Sequence, residues 1–361
     1  MNNRIYFTFD YYNKIQSNKY YTFPLAFYTG YTQQTSNSGL SVGNSGIEVN
    51  IDTHNLSPTS KLQWTTNFNF SYNRNKILSL PNGNRTIYAS YNDNNSGLSV
   101  NYIFQVGKPL YILNQMVYQG VYNSQSQVPV NPYTGQVLTY FKGYYPVKPG
   151  YPIWKDANGD YDVWTDEDKG NAQGDLLPMA NPNPAITGGF NNNFSYKNFS
   201  LGIGATFTLK RDIINSLQAN QFTNWTNGQY SFTNSGIPDL SKIGFWNPTQ
   251  AGQNPGGYNA KFPALNPNGS NFYQFFPFST MFNENGAYFR ITNISLGYKL
   301  SKKYLDALKI TSCRFYAVLE NVYIFQKASV PDAEQVNPFG IYDGATYPIP
   351  KKFTLGVNVQ F

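Results

Sequence analysis

Residues 353–361 read Phe353-Thr354-Leu355-Gly356-Val357-Asn358-Val359-Gln360-Phe361, and this stretch decides the fold. Odd-numbered positions are apolar and even-numbered ones are neutral polar or glycine, the period of two that marks an extended strand with two unlike faces. The pattern recurs. Residues 199–209 set Phe199, Leu201, Ile203, Ala205, Phe207 and Leu209 against Ser200, Gly202, Gly204, Thr206 and Thr208. Residues 61–73 set Leu62, Trp64, Phe68, Phe70 and Tyr72 against Gln63, Thr65, Asn67, Asn69 and Ser71. Residues 186–197 and 288–299 complete the strongest set, and weaker alternation covers 4–15, 46–53, 98–106, 109–122 and 311–325. The chain reads as all-β.

What occupies the polar face chooses between two architectures. A soluble sandwich usually shows lysine, glutamate, arginine and threonine to water, whereas here Asn, Ser, Thr, Gly and Gln alternate with the apolar residues. The segments are also ~9 to 13 residues long against a usual mode of about 5 or 6. A strand crossing a bilayer needs ~9 to 11 residues, with lipid on one side and a polar lumen on the other. Tyr72, Tyr196, Tyr288 and Tyr298 fall at strand ends, where such barrels carry their aromatic girdles. The reading is an antiparallel transmembrane β-barrel, with a soluble β-rich carbohydrate-binding or adhesive protein as the alternative.

Composition agrees. The 361 residues are 17% aromatic but only 12% charged, and no apolar run approaches the ~18 residues of a spanning helix. The 26 Lys and Arg exceed the 19 Asp and Glu, but they are scattered along the sequence without a patch, so no nucleic-acid partner is expected. Cys313 is the single cysteine, which excludes an intrachain disulfide, and it reads as a small apolar strand residue. His54 is the single histidine, so a catalytic triad or a multi-histidine metal site has only that residue to build on. The N-terminus runs directly into strand pattern without a signal peptide, the expectation for a cytosolic chain or for one that begins inside something larger.

Connection lengths test the strand list. With Phe361 at the periplasmic rim, the ten segments alternate in direction, and short links fall at 55–59, 107–108, 198 and 301–310. Long ones fall at 16–45, 75–97, 123–185, 211–285 and 326–350. Every long connection lands on one side, as outer-membrane barrels require of their extracellular loops. About ten strands beneath loops of that size imply part of a larger barrel, because open edges are not tolerated in lipid.

Several stretches resemble the SusC/RagA family of TonB-dependent outer-membrane transporters of the Bacteroidetes type. They include Asp10-Tyr-Tyr-Asn-Lys14, Gly46-Ile-Glu-Val49, residues 64–73, Asp156-Ala-Asn-Gly-Asp160 and Asn181-Pro-Asn-Pro184 leading into Thr187-Gly-Gly-Phe-Asn191. Residues 288–298, 320–325 and 347–361 continue the resemblance, which covers essentially the whole chain. It implies the C-terminal portion of a roughly 22-stranded barrel without its plug, TonB-contacting segment and earlier strands. It also implies outer-membrane lipid and a SusD-like surface lipoprotein as partners, uptake of oligosaccharides or peptides, TonB reached only through the missing part, and no enzymatic activity.

Three groups of residues are candidate sites. Asp156, Asn158, Asp160, Asp162 and Glu167 fall at positions 1, 3, 5, 7 and 12 of an EF-hand-like count, a spacing that lets oxygens converge on Ca²⁺. Tyr161 replaces the sixth-position glycine and no flanking helices are evident, so a solvated acidic loop capping its own turns is the competing reading. Paired-carboxylate catalysis is disfavoured, because a glycosidase's acids must flank the sugar from a rigid scaffold. Trp225, Trp246, Phe272, Tyr273, Phe275 and Phe276, within an Asn/Gly/Pro-rich loop, offer platforms for sugar or peptide, or packing against a lid. Phe353, Leu355, Val357, Val359 and Phe361 resemble the C-terminal signal of barrel assembly while also forming a lipid-facing strand.

Overall fold

The computed structural model describes residues 4–24, 27–31, 33–93, 98–165, 174–226, 243–247, 260–264 and 279–361. Its framework is one eight-stranded sheet. In chain order the strands are β1 (Ile5–Pro24), β2 (Gln33–His54), β3 (Leu62–Ser79), β4 (Ile186–Tyr196), β5 (Phe199–Leu209), β6 (Tyr288–Lys299), β7 (Ser312–Gln326) and β8 (Lys352–Gln360). Each pairs antiparallel with its sequence neighbour.

The register turns the alternation of each strand into continuous belts. Phe9, Val49, Phe70, Gly188, Phe207, Phe289 and Phe325 stand opposite one another in succession from β1 to β7. A row nearer the short turns holds Trp64, Phe194, Leu201, Leu296, Ala317 and Leu355. Since side chains on a strand alternate faces, these rows lie on one side of the sheet. That side is bare: Phe9 is 54% exposed, Leu296 52%, Phe353 60% and Leu355 70%. A contiguous apolar face of this size marks a surface that is not meant for water.

Gly188 is the gap in the aromatic row. A Cβ there would lie 2.4 Å from the Asn69 carbonyl oxygen and 2.5 Å from the Phe207 ring, so glycine lets Phe207 lie across the strand and stack on Phe68.

Three expectations change. Residues 98–106 and 109–122 are not strands of the main sheet. Leu98–Gln105 and Ile112–Gln115 join Thr86–Asp93 and Leu177–Ala180 in a separate four-stranded sheet, and Tyr118–Val121 pairs with Pro152–Trp154. The reason lies in consecutive Tyr102, Ile103 and Phe104, all buried, which need cover on both faces where a membrane strand keeps one face polar. Removing strands as a pair leaves the direction of every other strand unchanged, so connection parity survives the error. Secondly, residues 16–45 are not an open loop: β1 and β2 stay paired out to Pro24 and Gln33, with register shifts between Gln16 and Tyr20. Both strands are about twice the length a bilayer needs, and β3 likewise runs on into the expected 75–97 loop. Thirdly, the described parts of the remaining long connections are folded. They contain short strands and a helix, α1 (Ser216–Thr226), and share a core of buried aromatic and aliphatic residues that includes Tyr102, Leu113, Tyr140, Trp154, Phe222, Phe282 and Ile341.

Cys313 is buried in β7, opposite Val359 on the apolar side, as the apolar reading anticipates.

Candidate functional site

The polar side of the sheet is built from amides and hydroxyls. One row crosses all eight strands: Tyr6, Asp52, Asn67, Asn191, Gly204, Asn293, Glu320 and Lys352. Asn67 Nδ2 donates to Asp52 Oδ1 at 2.5 Å, and Lys352 Nζ lies 3.1 Å from Glu320 Oε2. A Cβ on Gly204 would sit 2.1 Å from Asn293 Oδ1 and 2.9 Å from Asn191 Oδ1, so the missing side chain lets the two amides reach over the backbone. Such a surface offers many neutral hydrogen-bonding groups, interrupted by charges at Asp52, Glu320 and Lys352.

At the end away from the short turns, the folded connections are tied to the sheet. Arg290, on the polar side of β6, is 5% exposed, and its Nη2 donates to both carboxylate oxygens of Asp332 at 2.6 and 2.5 Å. Its Nε lies 2.7 Å from Glu334 Oε2. The Gln326 side chain at the end of β7 donates to the Ala328 and Val330 carbonyls and accepts from Ala333 N–H. Ala328, Val330 and Ala333 pack with Ile213, Tyr288 and Tyr342. Asp212–Asn215 pairs with Asn283–Asn285 on one side and with Ile341–Tyr342 on the other, so the described parts of the 211–285 and 326–350 connections are joined. Asn215 Nδ2 reinforces it, donating to Glu284 Oε1 and Ser329 Oγ. Sequence reasoning overlooked Arg290, whose only signal is a cation amid Asn, Ser and Thr on a strand.

The acidic loop caps its own backbone. Asp156 accepts from Gly159 N–H at 2.7 Å and Tyr161 N–H at 3.0 Å; Asn158 Oδ1 accepts from Asp160 N–H, and Asp160 from Asp162 N–H at 2.8 Å. Asp162 receives Thr139 Oγ1 and Gly143 N–H. These are Asx-type turns, in which carboxylates satisfy nearby amides. Among the described residues no three His, Cys, Asp or Glu side chains are grouped to hold a metal, and Glu167 lies outside them. The organising acid is one the sequence did not single out. Asp175 is fully buried, accepts Ala157 N–H at 2.5 Å and Trp164 N–H at 2.8 Å, and so ties both ends of the loop together. Burial pushes its carboxyl up to about 6, with Asp156 and Asp160 adding to the effect and the two backbone amides opposing it.

The aromatic candidates are only partly placed. Trp246 Nε1 donates to Asn123 Oδ1 at 3.0 Å, and its ring closes over Gly150, so it packs two connections together. Neighbouring Phe245 and Phe262 are core residues around Phe222. Trp225 falls within α1. Phe272, Tyr273, Phe275 and Phe276 lie outside the described residues. Of the C-terminal set, Phe353 is 60% exposed, Val357 55% and Phe361 91%, all three bare on the apolar side or at its edge.

No protein-family model matches the chain. Among curated proteins, TonB-dependent receptor P3 of Formosa agariphila is 24% identical over 369 residues, covering 99% of this chain and 32% of the relative. TonB-dependent receptor SusC of Bacteroides thetaiotaomicron is 24% identical over 331 residues, covering 91% of this chain and 27% of the relative. Among solved structures, that of the RagAB peptide transporter superposes with a TM-score of 0.69 at 20% identity, covering all of this chain and 34% of that one.

The chain is SusC/RagA-like and resembles part of the TonB-dependent receptors it matches.

This SusC/RagA-like chain spans about a third of the length of the relatives it matches. Its eight-stranded sheet is barrel wall, the bare apolar belts face lipid, and the Asn/Ser/Thr rows face the lumen. It belongs to the outer membrane.

Proposed function

We propose that the chain contributes lumenal wall and outer mouth to a TonB-dependent transporter that takes up oligosaccharides or peptides together with a SusD-like surface lipoprotein. The observation that carries this reading is the Arg290–Asp332–Glu334 junction, which fixes a folded body of long connections to one end of a polar-lined wall. In this reading a wall of that kind guides a hydrated solute, and the folded mouth is the surface on which a lid rests. Plug and TonB contact are supplied by barrel and plug sequence that pairs with the free edges of β1 and β8. Calcium in the 156–167 loop is an accessory proposal, with the self-capped turns as the scaffold that an ion would rigidify.

The test is uptake. Deleting the gene abolishes TonB-dependent accumulation of labelled oligosaccharides or peptides above porin size and leaves glucose entry unchanged, and affinity capture of the chain recovers a surface lipoprotein. Normal uptake in the deletion strain, or recovery of the chain from the aqueous fraction after cell lysis, overturns the reading and favours a soluble carbohydrate-binding protein.

A further inference from the structure

Folding gathers cations that the sequence scatters. Lys61 precedes β3, Lys197 lies in the turn from β4 to β5, Lys299 closes β6, and Lys302, Lys303 and Lys309 belong to the β6–β7 link with its short helix α2 (Lys302–Leu308). The registers Leu62↔Tyr196, Phe199↔Tyr298 and Tyr298↔Phe315 place these connections side by side at the short-turn end of the wall. All six lysines are exposed, and among the described residues none lies within ion-pair distance of a carboxylate. Asp306 is the sole acid in the three connections. Like charges on adjacent strands repel, so the protein builds a positive rim that it does not itself neutralise.

The residues immediately inside that rim say what neutralises it. Leu62, Tyr196, Phe199 and Phe315 are 38%, 44%, 54% and 45% exposed on the lipid face. Tyr196 carries the Lys197 ammonium 5.3 Å from its ring centre. An exposed aromatic girdle under a row of unpaired lysines matches the two halves of a phospholipid, apolar chain and anionic headgroup. We propose that the short-turn rim is a docking surface for anionic phospholipid headgroups of the leaflet it faces, the lysines taking the phosphate and the girdle the first acyl carbons.

The protein, extracted in mild detergent with every chain that accompanies it, is placed in phosphatidylcholine bilayer discs. The discs contain spin-labelled phosphatidylglycerol or spin-labelled phosphatidylcholine of the same acyl length. The motionally restricted fraction favours phosphatidylglycerol several-fold at low ionic strength, and the preference fades at high salt. A lysine near a charged surface is worth up to about fivefold in association, so K302Q/K303Q/K309Q, which lies outside the sheet, removes most of the several-fold preference. K61Q/K197Q gives the same readout should the link variant fail to insert. Equal association of both lipids with the unmodified protein, or an unchanged preference in an inserted variant, overturns the proposal. So does suppression by soluble polyglutamate beyond that of salt at equal ionic strength, which assigns the rim to an acidic protein instead.

Discussion

Arg290 and Asp332 are joined through one guanidinium nitrogen, Nη2, which donates to both carboxylate oxygens at 2.6 and 2.5 Å while both residues are almost fully buried. Arg290 belongs to the wall and Asp332 to the connection after β7, so this contact links the rigid and the irregular parts of the molecule. Removing one partner of a buried pair leaves the other charge without compensation, a loss of ~3 to 5 kcal/mol. Arg290→Met therefore frees residues 327–350, seen as faster proteolysis and hydrogen exchange in that segment with the wall unaffected. Arg290→Met combined with Asp332→Leu regains much of the protection, because both charges leave together.

Asp175 makes the 156–164 loop sensitive to pH. Its carboxyl titrates near 6 in the folded loop against 3.8 ordinarily, so the folded state holds the proton more tightly than the open one. Loop stability is greatest below 3.8, declines as pH rises towards about 6, and is level above that. Trp164 fluorescence or amide protection at Ala157, followed from pH 3.5 to 7.5, reports the decline. Asp175→Asn abolishes this pH dependence and lowers protection throughout, because an amide accepts from only one of the two N–H groups with its oxygen.

Adjacent residues of β8 separate lipid from lumen. Leu355, 70% exposed on the apolar side, is expected to lose ~2 to 4 kcal/mol of membrane-folded stability on substitution by arginine near mid-bilayer. Thr354→Arg, one residue away on the polar side, is tolerated. The folded fraction on unheated gels, where intact barrel migrates differently from unfolded chain, distinguishes the two. Equal loss in both variants contradicts the assignment of faces.

The two glycines in the belts differ in what surrounds them. A side chain at Gly188 meets the Asn69 carbonyl oxygen, which belongs to the ladder and cannot move aside, whereas one at Gly204 meets the ends of the Asn293 and Asn191 side chains, which can swing away. Gly188→Val is therefore strongly destabilising, beyond the ~1 to 3 kcal/mol usual for overpacking. Gly204→Ala costs under ~1 kcal/mol, and thermal unfolding in detergent ranks the pair.

Strand identity was legible wherever one face is apolar and the other neutral polar, as in β5 and β8, because lipid and lumen impose opposite demands on successive residues. Leu98–Gln105 misled for the same reason. Its first half alternates, and only the buried run Tyr102, Ile103, Phe104 reveals a segment covered on both sides. The β1–β2 extension was hidden by its polarity, since a paired hairpin in water needs no apolar face to satisfy its backbone. For Trp246 the sequence left packing and platform open, and the structure adds its hydrogen bond to Asn123.

Alone, the sequence determined the fold class, the lipid-facing periodicity, the direction of each wall strand and the family resemblance, all of which follow from local alternation and spacing. Tertiary structure decided what depends on residues distant in the chain: the eight-strand count of the sheet, the Arg290–Asp332 junction across 42 positions, the buried Asp175 and the lysine rim. Pairing across strands is settled by which backbone groups meet, and no local pattern records it. Lysines that looked scattered become neighbours because antiparallel strands return every short turn to the same end.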